Sequence, residues 1–253
     1  MTIAAGRGVA PNVAIVTGAA RNIGRAAALA LARLDFDLVV HSGSDEAGAG
    51  ETAALVEAEG ARACVELGDL ADPDTAAHLA EAAGGMGTAA VLINNAALRR
   101  AVPFDEMSLQ EWRAVLAVNL DAAFLCSRAV IGQMLAGGWG RIINIGGLTG
   151  HIGASGRAHV VTSKAALVGF SKALAIEYAG RGVTANCVVP GEIETERGAS
   201  SGPRGRHPDK PPPPVGRRGH PQEVAAVIAM LCGPDSDYLT GQTYHVNGGL
   251  YLP

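Results

Sequence analysis

The sequence predicts an α/β fold with one parallel sheet of about seven strands and helices on both faces. Short, continuous apolar runs alternate with segments of helical period along most of the chain. This alternation is typical of parallel strands joined by helical crossovers, which gives a doubly wound sheet. The first apolar run also ends in a glycine-rich turn that leads into a helix. A chain of 253 residues is long enough to bury the core of one such domain.

The composition excludes several classes of protein. The formal net charge is −4, and no block of like charge resembles a nucleic-acid-binding surface. The four cysteines are scattered without the spacing of a metal site, so we interpret them as reduced thiols in a cytoplasmic protein. Neither a signal peptide nor an apolar run of membrane-spanning length is apparent. We expect residues 1–11 to be a flexible leader and residues 12–253 to form a single domain.

The first strand and its turn have the form of a dinucleotide-binding site. The apolar run at 12–16 is followed by TGAARNIG at 17–24 and then by a helical pattern. Gly18 permits the tight turn, and Gly24 lets the start of the helix pack close to the strand. Asn22 stands where a third glycine is common, and asparagine tolerates a left-handed backbone. The free N–H groups at the start of the helix favour a pyrophosphate. An ordinary strand-to-helix turn is the alternative.

The end of the second strand indicates which dinucleotide binds. The apolar run at 38–40 leads into His41-Ser42-Gly43-Ser44, with no acidic residue before Asp45. NAD-selective sites have an acidic residue at this strand end to hold the ribose hydroxyls. A cation in the turn, Arg21, together with nearby hydroxyls suits a 2′-phosphate instead. We therefore predict NADP(H), the alternative being that Arg21 is simply solvated at the surface.

The remaining elements follow in alternation. Helices are predicted over 25–34, 46–59, 74–83, 109–135, 163–178 (with 155 as an alternative start) and 221–231, and further strands over 63–66, 90–93, 141–145, 183–188 and 242–246.

The side-chain amides of Asn94 and Asn95, at the end of one predicted strand, are expected to tie adjacent strands together. Asn119 interrupts an apolar helix face, so its amide must either bond to the backbone or hold a water molecule.

One segment is too biased in composition to form a packed element. Residues 197–214 read RGASSGPRGRHPDKPPPP, and their four consecutive prolines imply an extended arm. A long irregular loop in a compact domain is usually a lid or is disordered. Its cationic residues either attract an anionic substrate or simply solvate a mobile loop; they are Arg204, Arg206, His207 and Lys210.

Taken together, these motifs resemble the short-chain dehydrogenase/reductase family of the single-domain, Rossmann-type class. The resemblance covers residues 12–252 and is carried by TGAARNIG, NNAA at 94–97, Asn119, Lys164, PGEIET at 190–195 and TGQTYHVNGG at 240–249. It is nearest to the NADPH-dependent 3-oxoacyl-carrier-protein reductases and pteridine reductases. The resemblance also implies a homo-oligomer, a dimer or a homotetramer, that acts on a small-molecule substrate.

The resemblance assigns cofactor contacts along the whole chain, with Asp69 at the adenine and Thr195 near the nicotinamide or its phosphates. The residues implied to bind NADP(H) are Thr17, Gly18, Arg21, Asn22, Ile23, Gly24, His41, Ser42, Ser44, Asp69, Leu70, Asn95, Ala96, Ala97, Lys164, Pro190, Gly191, Ile193 and Thr195.

The catalytic part of the resemblance is incomplete. The family uses an Asn, a Ser, a Tyr thirteen residues after that Ser, and a Lys four residues after the Tyr. Asn119 and Lys164 match, but the Tyr position holds Val160 and the Ser position holds Gly147. His159 lies five residues before Lys164, and residues five apart diverge around a helix, so it is not a direct substitute.

Three hypotheses remain for a site without these hydroxyls. The first is hydride transfer to an activated alkene or an iminium-like carbon, with the proton supplied by water or by His151, Thr149, Thr162 or Glu192. His151 is the preferred donor because histidine titrates in a suitable range, the alternative being an exposed loop histidine. The second is a lyase, isomerase or dehydratase step that uses Lys164. The third is a cofactor-binding pseudoenzyme.

Overall fold

A computed structural model describes residues 12–196 and 212–253. The predicted leader, and all but the last three residues of the predicted lid segment, lie outside the described residues. The described chain forms a seven-stranded, fully parallel sheet with the order β3-β2-β1-β4-β5-β6-β7, which confirms the predicted fold class. The strands are β1 (Asn12–Val16), β2 (Asp37–Ser42), β3 (Ala63–Leu67), β4 (Thr88–Asn94), β5 (Gly140–Ile145), β6 (Val183–Pro190) and β7 (Thr243–Val246).

Helices cover both faces of this sheet. They are α1 (Asn22–Ala32), α2 (Glu46–Ala58), α3 (Pro73–Met86), α4 (Leu109–Leu116), α5 (Ala122–Gly137), α6 (Thr149–Ile152), α7 (Ala158–Tyr178) and α8 (Pro221–Cys232). One apolar core lies between the sheet and α1, α2 and α8. A second core lies on the opposite face, against α3, α5 and α7. The strand order reverses direction between β1 and β4, and a crevice at such a switch point is where α/β sheets bind their ligands.

Several observed helices differ from the predicted ones, and two of the differences bear on the site. Helix α1 starts at Asn22 instead of residue 25, because the turn closes directly onto the first helical residues. The predicted helix over 109–135 is divided by a π-helical turn, Ala117–Asp121, which joins α4 to α5. Asn119 lies in the middle of this turn. Short π-helical insertions occur frequently at functional sites, and here the insertion directs a buried amide towards the loop after β4.

The helical run Leu109–Gly137 is apolar enough, by length and composition alone, to cross a membrane. This corrects the expectation that no apolar run reaches that length. In the fold the run packs against β4. Its inward face is buried through Ala122, Cys126, Val130 and Met134, as expected of a core helix that covers a sheet.

Candidate active site

A cavity of about 1500 Å³ opens at the carboxyl ends of the strands, over the crevice between β1 and β4. It is lined by the segments that follow β1 to β6. All of the predicted cofactor residues line it except Thr17. The cavity therefore brings together, in one place, residues that are more than 170 positions apart in the chain.

The glycine-rich turn after β1 has the backbone that the sequence predicted. Gly18 has φ of +63° and Asn22 has φ of +53°, so asparagine does adopt the left-handed conformation here. A Cβ atom on Gly24 would lie 2.2 Å from the carbonyl oxygen of Gly18. Only glycine fits at that position, because any side chain would push the start of α1 away from the turn. The N-terminus of α1 consequently faces the cavity, as a pyrophosphate-binding helix must.

Thr17 supports this turn from beneath and does not line the cavity. Its side chain is 2% exposed. Its hydroxyl accepts hydrogen bonds from the backbone N–H groups of Asn95, at 2.9 Å, and Ala96, at 3.1 Å, and contacts the Ile93 carbonyl oxygen at 3.2 Å. The side-chain amide of Asn95 in turn donates hydrogen bonds to the carbonyl oxygens of Thr17 and Gly18. The predicted cofactor contact of Thr17 is therefore replaced by a positioning role between β1 and β4.

The predicted pair of strand-tying amides is confirmed. Asn95 links the end of β4 to the turn after β1, as described above. Asn94 donates from Nδ2 to the Asn144 side-chain oxygen at 2.9 Å and so ties β4 to β5. Asn144 in turn donates to the Ser171 hydroxyl of α7 at 2.9 Å. These buried amides hold the edges of the crevice at a fixed separation.

His41 connects the turn to the end of β3. Its Nδ1 accepts a hydrogen bond from the Gly18 N–H at 3.3 Å, and its Nε2 lies 3.0 Å from the Gly68 carbonyl oxygen. These two contacts require a neutral ring with the proton on Nε2. Burial lowers the pKa of His41, which favours that neutral form. His41 is thus a structural bridge that also lines the cavity.

Arg21 makes an ion pair with Asp45 at the rim of the cavity. Asp45 also caps α2 by accepting a hydrogen bond from the Gly48 N–H at 3.1 Å. Its own N–H donates to the Ser42 hydroxyl at 3.1 Å. The cation and hydroxyls predicted for a 2′-phosphate are therefore present, but a carboxylate stands beside them. The sequence contained a signal for this pair, because Asp45 is the first acidic residue after the second strand.

The turn is also connected to the chain that follows β6. The Asn22 amide donates to the Glu196 carbonyl oxygen at 2.8 Å and accepts from the Glu196 N–H at 2.9 Å. Thr195, the residue before this contact, lines the cavity. Sequence reasoning did not identify this connection, since the two residues are separated by 174 positions.

Lys164 lies at the inner wall of the cavity and is 6% exposed. Its ammonium group donates to the Ile145 carbonyl oxygen at 2.6 Å. Burial, with a further contribution from the positive charge of Arg99, lowers the pKa of Lys164 to about 7. The amine consequently changes charge in the neutral pH range, where a buried lysine acts readily as a hydrogen-bond donor or a proton carrier.

The two side chains next to Lys164 carry no hydroxyl. Val160 lies one helical turn earlier on α7, is 4% exposed and lines the cavity. Gly147 lines it from the loop after β5. A Cβ atom on Gly147 would meet only the Lys164 side chain and the Thr149 hydroxyl, at 3.5 Å or more. There is therefore room for a small side chain at residue 147.

Asn119 uses its amide within the protein. Its oxygen accepts from the Leu98 N–H at 2.7 Å, and its nitrogen donates to the Leu98 carbonyl oxygen at 3.0 Å and to the Ser163 hydroxyl at 3.1 Å. It is 2% exposed and does not line the cavity. Of the two predicted roles, the structure shows the bond to the backbone, which positions the loop after β4.

The predicted proton donors separate into two groups. Thr149 and Glu192 line the cavity, whereas Thr162 is exposed on α7 outside it. His151 lies on the short helix α6, and its ring packs against the rings of His245, at 4.6 Å between centroids, and Tyr251, at 5.4 Å. His151 does not line the cavity. The prediction that its loop crosses the pocket is therefore wrong, and the geometry does not support His151 as the proton donor.

Comparison with known proteins decides the family. The sequence profile of the enoyl-(acyl carrier protein) reductase family matches residues 18–251. The 3-oxoacyl-[acyl-carrier-protein] reductase of Vibrio cholerae is 36% identical over 241 residues, which are 95% of this chain and 97% of the relative. The chain belongs to the short-chain dehydrogenase/reductase family. This membership confirms the resemblance inferred from the motifs.

Solved structures of the family have the same architecture. The acetoin dehydrogenase of Salmonella typhimurium superimposes with a TM-score of 0.86 at 35% identity, and covers 95% of this chain and 96% of its own. A Beutenbergia cavernae structure, described as an NAD(P)-dependent gluconate 5-dehydrogenase with NADP bound at low occupancy, has the same TM-score and identity over 97% of this chain and 99% of its own.

Proposed function

We propose that this protein is an NADP(H)-dependent oxidoreductase that transfers a hydride without a tyrosine acid. One observation carries this proposal: the predicted cofactor residues that line the cavity, which we call the nucleotide cradle and which include Lys164, share it with Val160 and Gly147, neither of which has a hydroxyl. In this proposal Val160 and Gly147 occupy the positions of the family's Tyr and Ser. The substrate is then one whose reduction does not require protonation of a carbonyl oxygen.

The residues of the cavity fit the dinucleotide in shape and chemistry. The left-handed turn, and the close packing that Gly24 allows between this turn and α1, present the start of α1 to the cavity, where a pyrophosphate would bind. The hydroxyls of Ser42 and Ser44, with Arg21, would hold a 2′-phosphate, and Lys164 would hold ribose hydroxyls. When bound, the reduced nicotinamide supplies a hydride. The cradle itself contributes orientation and the exclusion of water.

The proton requires a different source from the family's tyrosine. Val160 presents an aliphatic wall beside Lys164, so no acidic hydroxyl is available at residue 160. Of the predicted donors, two line the cavity: Thr149, with its hydroxyl, and Glu192, which could donate only as the protonated acid. A conjugated alkene suits this arrangement, because its second carbon can be protonated by water or by such a side chain after the hydride arrives.

An assay of NADPH oxidation tests the function. The protein is incubated with NADPH and a panel of conjugated enones, enals and alkenoyl thioesters, and separately with the matching saturated ketones and 3-oxoacyl thioesters. We expect oxidation with members of the first set and none with the second. Saturable NADPH binding with no oxidation by either set would contradict the proposal and would favour a cofactor-binding pseudoenzyme.

The choice of cofactor is expected to depend on the Arg21–Asp45 pair. Arg21→Met removes the cation that would contact the 2′-phosphate, so NADPH affinity should fall by about 10-fold or more, with little change for NADH. Asp45→Asn keeps the cap of α2 but removes a competing carboxylate, and NADPH should then bind more tightly. Fluorescence titrations with both cofactors measure these changes. Equal losses of NADPH and NADH in Arg21→Met would contradict the 2′-phosphate contact.

We also propose that the protein is a cytoplasmic homo-oligomer, either a dimer or a tetramer. Large apolar side chains are exposed on the two long helical faces after β4 and β5: Leu109 is 60% exposed, Phe124 is 48% and Ile176 is 89%. Exposed apolar patches of this kind mark association surfaces. Sedimentation equilibrium should give twice or four times the mass of the chain, and Phe124→Glu should reduce it. A monomer at micromolar concentration would contradict this proposal.

A further inference from the structure

The backbone of Asn22 does not explain why residue 22 carries a side chain. Its φ of +53° lies in the left-handed region. Glycine adopts this region at no steric cost, whereas most other residues avoid it. Glycine would therefore satisfy the turn after β1 equally well, and the use of an asparagine has to be sought in its side-chain amide.

The Asn22 amide makes two hydrogen bonds with a single residue of the chain after β6. Its Nδ2 donates to the Glu196 carbonyl oxygen at 2.8 Å, and its Oδ1 accepts from the Glu196 N–H at 2.9 Å. Both distances are those of well-formed hydrogen bonds. Since one side chain holds both backbone groups of Glu196, it fixes the direction of the chain at that point as well as its distance from α1.

We define the strap as residues 191–196, the described chain that follows β6. Its base is held by the last strand, because the Gly191 N–H donates to the Val246 carbonyl oxygen at 2.9 Å. Its middle is held by the segment before α8, where the Glu194 N–H donates to the Gly219 carbonyl oxygen at 2.7 Å. These two anchors both belong to the β6–β7 side of the sheet.

Asn22 supplies the anchor on the β1 side. Within residues 12–196 and 212–253, its pair with Glu196 is the only hydrogen-bonded contact between the strap and the turn after β1. Thr195 lies between the anchored residues Glu194 and Glu196 and lines the cavity. The position of the Thr195 hydroxyl consequently depends on Asn22.

A second, smaller cavity shows what this contact separates. It has a volume of about 580 Å³ and lies beside the start of α1. Asn22, Thr195 and Glu196 line both this cavity and the larger one. The contact between Asn22 and Glu196 is therefore part of the partition between the two cavities, and its loss would join the nucleotide cradle to the smaller cavity.

We infer that Asn22 is a positioning residue: its side-chain amide holds the strap across the nucleotide cradle and so places Thr195 over the bound cofactor. The inference rests on the proposed oxidoreductase function, because that function puts NADP(H) beneath the strap. The two parts of residue 22 have separate roles. Its backbone shapes the turn, whereas its side chain acts through the strap.

Asn22→Gly separates these roles, because glycine keeps the left-handed turn and removes the amide. We expect this variant to bind NADPH about 10-fold more weakly, as the loss of two neutral hydrogen bonds that hold the strap predicts. In the cofactor-free protein, hydrogen–deuterium exchange of peptides that contain Glu196 should become faster by about 10-fold, since the Glu196 N–H loses its acceptor. Fluorescence titration and mass spectrometry measure the two changes.

A double-mutant cycle with Thr195→Val tests whether Asn22 acts through Thr195. Valine keeps the shape of the side chain and removes the hydroxyl. In this background Asn22→Gly should weaken NADPH binding by less than about 3-fold, because the contact that Asn22 positions is already lost. A merely structural effect of Asn22→Gly would be independent of residue 195, so equal losses in both backgrounds would overturn the inference.

Asp35 provides the matched control, because it is the other described non-glycine residue with a positive φ, at +62°. It lies between α1 and β2 and does not line the cavity. Asp35→Gly should change neither NADPH affinity nor the exchange of peptides that contain Glu196. Equal effects of Asn22→Gly and Asp35→Gly would overturn the inference. Melting curves followed by circular dichroism confirm that each variant is folded.

The exchange measurement requires no cofactor, so the two proposals are tested separately. If the unmodified protein binds no NADPH but Asn22→Gly still speeds exchange at Glu196, the oxidoreductase proposal fails and the anchoring of the strap stands. If NADPH binds and Asn22→Gly changes neither its affinity nor the exchange, the role of Asn22 is refuted and the oxidoreductase proposal stands.

Discussion

Val160→Tyr combined with Gly147→Ser should create ketone reductase activity that the unmodified protein lacks. The new tyrosine hydroxyl would extend from α7 one helical turn before Lys164, whose ammonium group can lower the phenol pKa. The new serine has space, since a Cβ atom on residue 147 makes only ordinary contacts. General acid catalysis by a positioned hydroxyl contributes roughly 10²- to 10⁴-fold in rate. NADPH oxidation with ethyl acetoacetate measures the gain.

The matched control for this experiment is Val160→Phe with Gly147→Ala, which adds nearly the same volume without either hydroxyl. We expect it to remain inactive towards the ketone. If the hydroxyl-bearing variant binds NADPH and is no more active than this control, then the geometry of the substrate pocket differs from that of the family, and the missing hydroxyls do not explain the lack of ketone reduction.

Lys164→Met should stabilise the fold at pH 7 and weaken cofactor binding. The folded chain holds the pKa of Lys164 at about 7, whereas an unfolded chain has a lysine pKa of about 10.4. Between these values the unfolded state binds the additional proton, so the stability of the unmodified protein rises with pH and is lowest below pH 7. Methionine does not titrate, and we expect Lys164→Met to be more stable by roughly 2–4 kcal/mol at pH 7.

Urea unfolding at a series of pH values between 7 and 10 measures this difference. The advantage of Lys164→Met should shrink as the pH rises, while NADPH affinity falls by about 10-fold or more because a hydrogen-bond donor to the ribose is lost. The exposed Lys172 on the same helix provides the control, since Lys172→Met should change neither quantity. A stability difference that does not depend on pH would contradict the lowered pKa of Lys164.

The fold was predictable because each strand and helix has a local pattern. Buried parallel strands such as β1 and β4 contain continuous apolar runs, and α2 begins at its predicted residue, directly after the Asp45 cap. The left-handed Asn22 was also predictable, because its position in the turn permits few other residues. The π-helical turn at Asn119 was not, because helical periodicity over 109–135 does not reveal one inserted residue.

The site was most predictable where a sequence motif fixes the local backbone. The turn after β1 is such a motif, and most of its residues line the cavity. His151 and Thr17 were misplaced because neither the orientation of a loop nor the burial of a strand-end hydroxyl can be read from spacing.

A fluorescence titration of the unmodified protein with NADPH tests most directly whether the cofactor half of the site is complete. The intact turn, the start of α1 and Lys164 predict saturable binding with a dissociation constant in the micromolar range, of the order of typical Michaelis constants. Arg21 predicts that NADH binds more weakly. The absence of any saturable change up to millimolar NADPH would contradict this assignment, because the same residues would then form a cradle that holds no dinucleotide.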